Sequence, residues 1–179
     1  TDLNGVADGI CKKLIYRHPH VFGDLTVTGT GQVLANWDEL KKKEKHQDTA
    51  ADSVDAVARS LPGLWRAEKI QKKAAKVGFD WDSVDGAMDK LREETEELQT
   101  AIREGSNVSE ELGDLLFAAV NVARFVKVDP ETAMTAACDK FARRFRAVEE
   151  AARAQGKDLS SMSLAEMGAL WDAVKQQEA

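Results

Sequence analysis

The chain has 179 residues, 25 of them Lys or Arg and 31 Asp or Glu, which leaves a net charge of −6. That acidic excess disfavours a general nucleic-acid or anionic-membrane binder, since both need a basic face, and no apolar run approaches the roughly 18 residues of a membrane span. With 43% hydrophobic and 31% charged residues, the composition is that of a soluble globular chain able to bury one core plus an appendage.

The first residues carry no basic stretch followed by an apolar run, so no signal peptide is expected, and a start at Thr1 rather than Met suggests an excised fragment. Cys11 and Cys138 form no CxxC or CxxH spacing, which fits a reducing, cytoplasmic setting. Only three prolines and twelve glycines punctuate the chain, and the stretches between them follow helical periodicity, so the predicted class is all-α. Residues 1–48 echo the end of the chain. Lys13-Leu14-Ile15-Tyr16-Arg17 is similar to Lys140-Phe141-Ala142-Arg143-Arg144, and Asn36-Trp37-Asp38-Glu39-Leu40-Lys41 to Leu170-Trp171-Asp172-Ala173-Val174-Lys175, in the same order. The expected organisation is therefore the tail half of a truncated first unit over 1–48, a linker over 49–58, and one complete unit over 59–179.

Residues 60–77 read as a helix with Ala67, Ile70, Ala74 and Val77 on one face, ended by Gly78. From 59 to 77, Arg59, Arg66, Lys69, Lys72, Lys73 and Lys76 face only Glu68, either a solvated face or a positive wall for phosphates or an acidic partner. Residues 84–104 place Val84, Met88, Leu91, Thr95, Leu98 and Ile102 on a narrow seam, with Gly105 as C-cap. The next helix starts at Asn107, with Glu110 placed for a capping box, and runs to about Val126. Asp129, Pro130 and Glu131 form an N-cap, an N1 proline and an acidic first turn. The helix they open turns Met134, Cys138, Phe141, Phe145 and Val148 inward and closes at Gly156. Ser163 and Glu166 make a capping box for a last helix with Met167, Leu170, Trp171 and Val174.

The acids are the informative part. Glu94 with Glu97, and Glu111 with Asp114, sit three residues apart and so share a helix face, each pair pre-set to grip a cation. Residues 115–126 hold ten apolar positions of twelve, interrupted by Asn121 and Arg124, which predicts burial on most sides. Carboxylates entering such a helix must be paired or neutralised, because an uncompensated buried one costs several kcal/mol. A short loop makes the two helices antiparallel neighbours and brings the pairs opposite one another. Four carboxylates without a nearby histidine select Mg²⁺ or Mn²⁺ over Zn²⁺. His18, His20 and His46 lie outside the complete unit, no Glu-x-x-His di-iron motif occurs, and neither GxxxxGK[ST] nor GxGxxG is present.

Glu94-x-x-Glu97 followed by Glu111-x-x-Asp114 in Glu-Glu-Leu-Gly-Asp-Leu-Leu resembles the signature of the all-α MazG nucleoside triphosphate pyrophosphohydrolases. The phrases Lys-Ile-Gln-Lys-Lys-Ala-Ala-Lys-Val-Gly-Phe-Asp-Trp (69–81) and Arg-His-Pro-His-Val-Phe (17–22) are similar to the bacterial long form, which carries two such domains in tandem. The resemblance implies a MazG-like helical bundle completed by homodimerisation, hydrolysing nucleoside triphosphates to monophosphate and pyrophosphate with Mg²⁺. Carried over by position, Glu94, Glu97, Glu111 and Asp114 would be the catalytic metal ligands, and Lys90 would meet phosphate. Lys140 and Arg144 would contact the nucleotide, Trp171 its base or ribose, with Lys175 a weaker addition. The resemblance also implies that only the second unit is active, since the first lacks its acidic helices.

For such a site, metal would polarise the phosphoryl group while an acidic residue orients the attacking water. Two rivals remain open. One is a pyrophosphohydrolase of narrower specificity, for dUTP, dCTP or phosphoribosyl-ATP; the other is a non-catalytic helical module that dimerises or binds a partner through the basic 59–77 stretch.

Overall fold

The computed structural model describes residues 2–33, 36, 37, 40 and 49–178, and every regular element among them is helical, as the periodicity predicts. Asp38, Glu39 and Lys41 of the internal echo, and His46, lie outside the described residues. The chain divides into two compact units, Thr1–Leu61 with Lys69–Asp80, and Pro62–Glu68 with Trp81–Ala179.

In the first unit, Asp2 caps α1 (Leu3–Arg17) by accepting from the Gly5 N–H at 2.8 Å, and Pro19 opens the single turn of α2 (Pro19–Phe22). No residue of α1 is buried, and Leu3, Val6, Ile10 and Leu14 along one face are all exposed. Helix α3 (Ala50–Asp55) starts from a capping box between Thr49 and Asp52. Helix α4 (Gly63–Ala75), whose residues to Glu68 belong to the second unit and the rest to the first, is shorter than the expected 60–77: Pro62 precedes its first turn, and the chain reverses through Gly78 at φ +86°, the Phe79 N–H donating to the Ala74 carbonyl at 3.2 Å. Val77 is therefore outside the helix and exposed, while Ala67, Ile70 and Ala74 are half-buried.

The second unit holds the acidic segments. Ser83 caps α5 (Val84–Glu104), which ends at Gly105 in the left-handed region at φ +69°. The chain reverses over 105–107, and α6 (Val108–Phe125) runs back along α5. The predicted Asn107–Glu110 capping box does not form. Asn107 is itself left-handed, at φ 53°, whereas a capping side chain needs extended backbone to reach back to the third residue of the helix. Its carbonyl takes that place, accepting from the N–H groups of Glu110 and Glu111 at 2.9 and 3.1 Å.

The other two caps form as read. Asp129 accepts from the Thr132 N–H at 2.7 Å ahead of Pro130 in α7 (Pro130–Ala154), and Ser163 and Glu166 close the box on α8 (Leu164–Gln177). Asp129 also accepts from the Trp65 indole at 3.0 Å, a bond across 64 residues that spacing alone does not reveal. A short 3₁₀ turn (Leu159–Ser161) lets α8 return against α7.

Two packing expectations are corrected. On α5 the buried line is Ala87, Glu94 and Ala101, not the seam of larger residues: Leu91 and Leu98 are half-buried and Ile102 is 60% exposed. Two alanines a heptad either side of Glu94 permit close approach of α6, and this close line sets the face. On α7 only Val148 of the predicted inward residues is buried; Met134, Cys138, Phe141 and Phe145 are exposed, and among the described residues α8 covers that stripe only in part, with Trp171 against Phe141. Leu112, Leu116 and Phe117 of α6 are exposed too, against the expectation of a helix enclosed on most sides.

Candidate active site

The α5–α6 pair brings three of the four predicted acids together. One carboxylate oxygen each from Glu94, Glu111 and Asp114 lies within 4.8 Å of the others. Glu94 is only 5% exposed, Glu111 is half-buried and Asp114 faces solvent, so the group runs from the helix interface to the surface. The α5 spacing explains Glu94: it falls seven residues from both Ala87 and Ala101, on the line that meets α6.

A carboxylate in that position needs a counter-charge. Lys90, one turn earlier, supplies it, with Nζ 2.6 Å from Glu94 Oε1 and 2.7 Å from Glu93 Oε1. The hydrogen bond to Glu93, then that to Glu94, holds the Lys90 ammonium above the ordinary lysine range. Glu97 is not a member of the three-oxygen group, but it stands beside Glu94. Local desolvation, then the negative charge of Glu94, raises its carboxyl above the usual glutamate range, with Lys90 opposing. Around Glu94, then, several carboxylates share the ammonium of Lys90. Glu97 and Glu111 also line an open pocket of about 470 Å³ with Glu93, Glu96, Thr100 and Glu104.

The predicted nucleotide contacts gather elsewhere in the same unit, where α7 meets α8. Arg144 places its guanidinium 6.0 Å from the centre of the Trp171 ring, and Phe141 packs on the same indole at 5.2 Å between ring centres. Lys140, one turn before Arg144, is exposed. Lys175 lies 3.7 Å from Asp172 on its own helix. Two residues that the sequence reading passed over join this group. Glu178 accepts from Arg144 Nε at 2.7 Å and from Arg143 Nε at 3.3 Å.

The echo in the first unit has a structural counterpart. Arg17 and Trp37, the residues that align with Arg144 and Trp171, form the same arrangement, guanidinium over indole at 5.7 Å. Cys11 and Cys138 are both free thiols and exposed, and no described helix is long and apolar enough to cross a membrane.

Residues 83–148, from the cap of α5 well into α7, match the family model of the MazG nucleotide pyrophosphohydrolase domain. The nucleoside triphosphate pyrophosphohydrolase of Escherichia coli (strain K12) is 41% identical over 181 residues, covering 99% of this chain and 69% of its own. The nucleoside triphosphate pyrophosphohydrolase/pyrophosphatase MazG of Thermotoga maritima is 37% identical over 164 residues, covering 92% and 62%. Bacillus subtilis YabN is 46% identical over 179 residues, 98% of this chain and 36% of that protein.

Proposed function

Because the chain belongs to the MazG family of nucleotide pyrophosphohydrolases, we propose that it hydrolyses nucleoside triphosphates to the monophosphate and pyrophosphate with Mg²⁺, and so acts on the cytoplasmic nucleotide pool. The meeting of Glu94, Glu111 and Asp114 at the α5–α6 interface carries this reading. The donor set fits a hard divalent cation, because all three groups offer carboxylate oxygens and no nitrogen or sulfur ligand lies among them. Mn²⁺ suits the same oxygens. When bound, the cation supplies charge neutralisation for the triphosphate and lowers the barrier to attack by water.

The chain's own residues divide the remaining work. Glu94 would be the ligand fixed by burial, with Glu111 and Asp114 the ligands from the second helix. Glu97 carries the fourth carboxylate, close enough to Glu94 for that charge to raise its carboxyl, after local desolvation, above the usual glutamate range. Lys90 is the counter-ion of Glu94 and, 36% exposed, would also be placed to meet a phosphate. Arg144 and Lys140 offset the charge of the leaving pyrophosphate, Trp171 offers a face to the base, and Lys175 adds a weaker contact one turn on.

The exposed apolar residues of α6 and α7, Leu112, Leu116, Phe117, Met134, Phe141 and Phe145, support a homodimer, because exposed large apolar side chains grouped on helices are commonly covered by association. The Arg17–Trp37 and Arg144–Trp171 pairs support the tandem reading, with 1–48 part of a first domain and 59–179 the catalytic domain, joined by a 49–58 segment that is helical over Ala50–Asp55. The test is pyrophosphate release from a panel of ribo- and deoxyribonucleoside triphosphates with and without Mg²⁺. Release that requires Mg²⁺ is expected. None with any substrate would leave the partner-binding module, and release from dUTP, dCTP or phosphoribosyl-ATP alone would favour the narrower hydrolase.

A further inference from the structure

Glu178 stands at the C-cap of α8, where the helix dipole disfavours a negative side chain. What stabilises it there is the pair of adjacent guanidinium groups on α7, each bonded to a different oxygen of the one carboxylate. The Arg144 hydrogen bond chiefly holds the Glu178 carboxyl below the ordinary glutamate range, Arg143 adding to it and desolvation opposing. Arg144 is the shielded member, its side chain 19% exposed against 64% for Arg143, and its guanidinium rests near the Trp171 ring. A carboxylate and a phosphate present two oxygens to such a fork in nearly the same way. Glu178 is therefore a substituent of the chain itself standing where a phosphate oxygen pair fits.

We propose that Arg143 and Arg144 form one anion clamp that Glu178 occupies in the absence of nucleotide, so that a phosphate group enters by exchange with this carboxylate. Arg143 is thereby a further phosphate-binding residue, and Glu178 an internal competitor that sets the apparent affinity. The proposal rests on the reading that Arg144 faces the nucleotide. With the Arg144 and Glu178 side chains 19% and 30% exposed, the pair sits at the upper end of surface ion pairs and favours its closed state by about fivefold, and apparent affinity falls with the fraction of open clamp. Exchange rather than simple addition also makes the sign of the Glu178 effect distinctive: removing a merely structural contact weakens binding, whereas removing a competitor strengthens it.

The experiment is calorimetric titration of the full chain with inorganic pyrophosphate in EDTA, which isolates the clamp from the cation site, on wild type, Glu178→Gln, Arg143→Ala and the double variant. Glu178→Gln is nearly isosteric at an exposed helix end and is checked for an unchanged circular dichroism melt. The clamp predicts binding about two- to fivefold tighter in Glu178→Gln, weaker in Arg143→Ala, and a smaller gain from Glu178→Gln in the Arg143→Ala background. Equal or weaker binding in Glu178→Gln, or no effect of Arg143→Ala, overturns it. The measurement needs no turnover, so a wild type that hydrolyses no nucleotide refutes the proposed activity while the exchange is judged separately.

Discussion

Lys90→Met tests whether the site is built around a buried carboxylate that the protein must neutralise by itself. The substitution keeps most of the apolar stem and removes the ammonium that lies 2.6 Å from Glu94. Breaking a fully buried ion pair costs about 3–5 kcal/mol. Here the Glu94 side chain is 7% exposed but that of Lys90 is 36% exposed, so water screens one partner, and the cost falls to about 2 kcal/mol, between the buried value and the 0–1 kcal/mol of a surface pair. For a chain of this length that is a drop of roughly 4–8 °C in melting temperature. The assay is a thermal melt followed by circular dichroism at pH 7.5, first in EDTA and then with Mg²⁺. The variant should melt lower in EDTA and recover more than wild type gains when Mg²⁺ is added, since the cation replaces the missing charge. Equal melting of the two proteins in EDTA, or an equal Mg²⁺ gain, would refute the reasoning.

Arg144→Ala and Trp171→Ala should each lower kcat/KM by about tenfold, on the order of 1.4 kcal/mol, with little change in the Mg²⁺-induced melting shift; wild-type kinetics in both would return these residues to a structural role. Light scattering at micromolar concentration should give the mass of a dimer, and Leu116→Glu with Phe117→Glu should shift it to monomer; a monomeric wild type contradicts the covered stripe. Glu166, held down to about 2 chiefly by the Lys157 hydrogen bond and then by Ser163, stabilises the fold above the ordinary glutamate pKa, and that stability is lost as pH falls from about 4.5 toward 2. The melting temperature of Glu166→Gln should accordingly lie below wild type at pH 6 and converge with it at the acid end, and a constant gap across that window would show the carboxylate charge to be irrelevant.

Signals carried by neighbours in sequence were legible. The boxes and caps at Asp129 and Ser163, the left-handed Gly105 and the three-residue spacing of the acids all concern residues within one turn of each other, where helical geometry leaves little choice. Asn107 failed because a residue next to a tight reversal takes its backbone conformation from the reversal, and a left-handed φ turns the side chain away from the helix it was expected to cap. The α5 face failed because side-chain hydrophobicity favours Leu98 and Ile102, whereas close packing favours Ala87 and Ala101, and this is what buries Glu94 between them. The Glu178 contacts bridge 34 and 35 residues, and the Trp65–Asp129 bond 64, distances over which spacing carries no information. Nor does a hydrophobic pattern say whether its cover comes from the same chain or from a second copy, which is why the α7 stripe was read as internal.

The central claim is that Glu94, Glu111 and Asp114 together hold a catalytic cation. It is tested most directly by Asp114→Asn against Glu110→Gln, measuring pyrophosphate release and the Mg²⁺-induced shift in melting temperature in each. Asp114 contributes an oxygen to the group, whereas Glu110 is exposed and outside it. Asp114→Asn should lose orders of magnitude in turnover and most of the Mg²⁺ shift, yet melt no lower than wild type in EDTA, because one of several crowded negative charges is gone. Glu110→Gln should retain both within a few fold. An active Asp114→Asn, or a wild type that Mg²⁺ does not stabilise, would contradict the account.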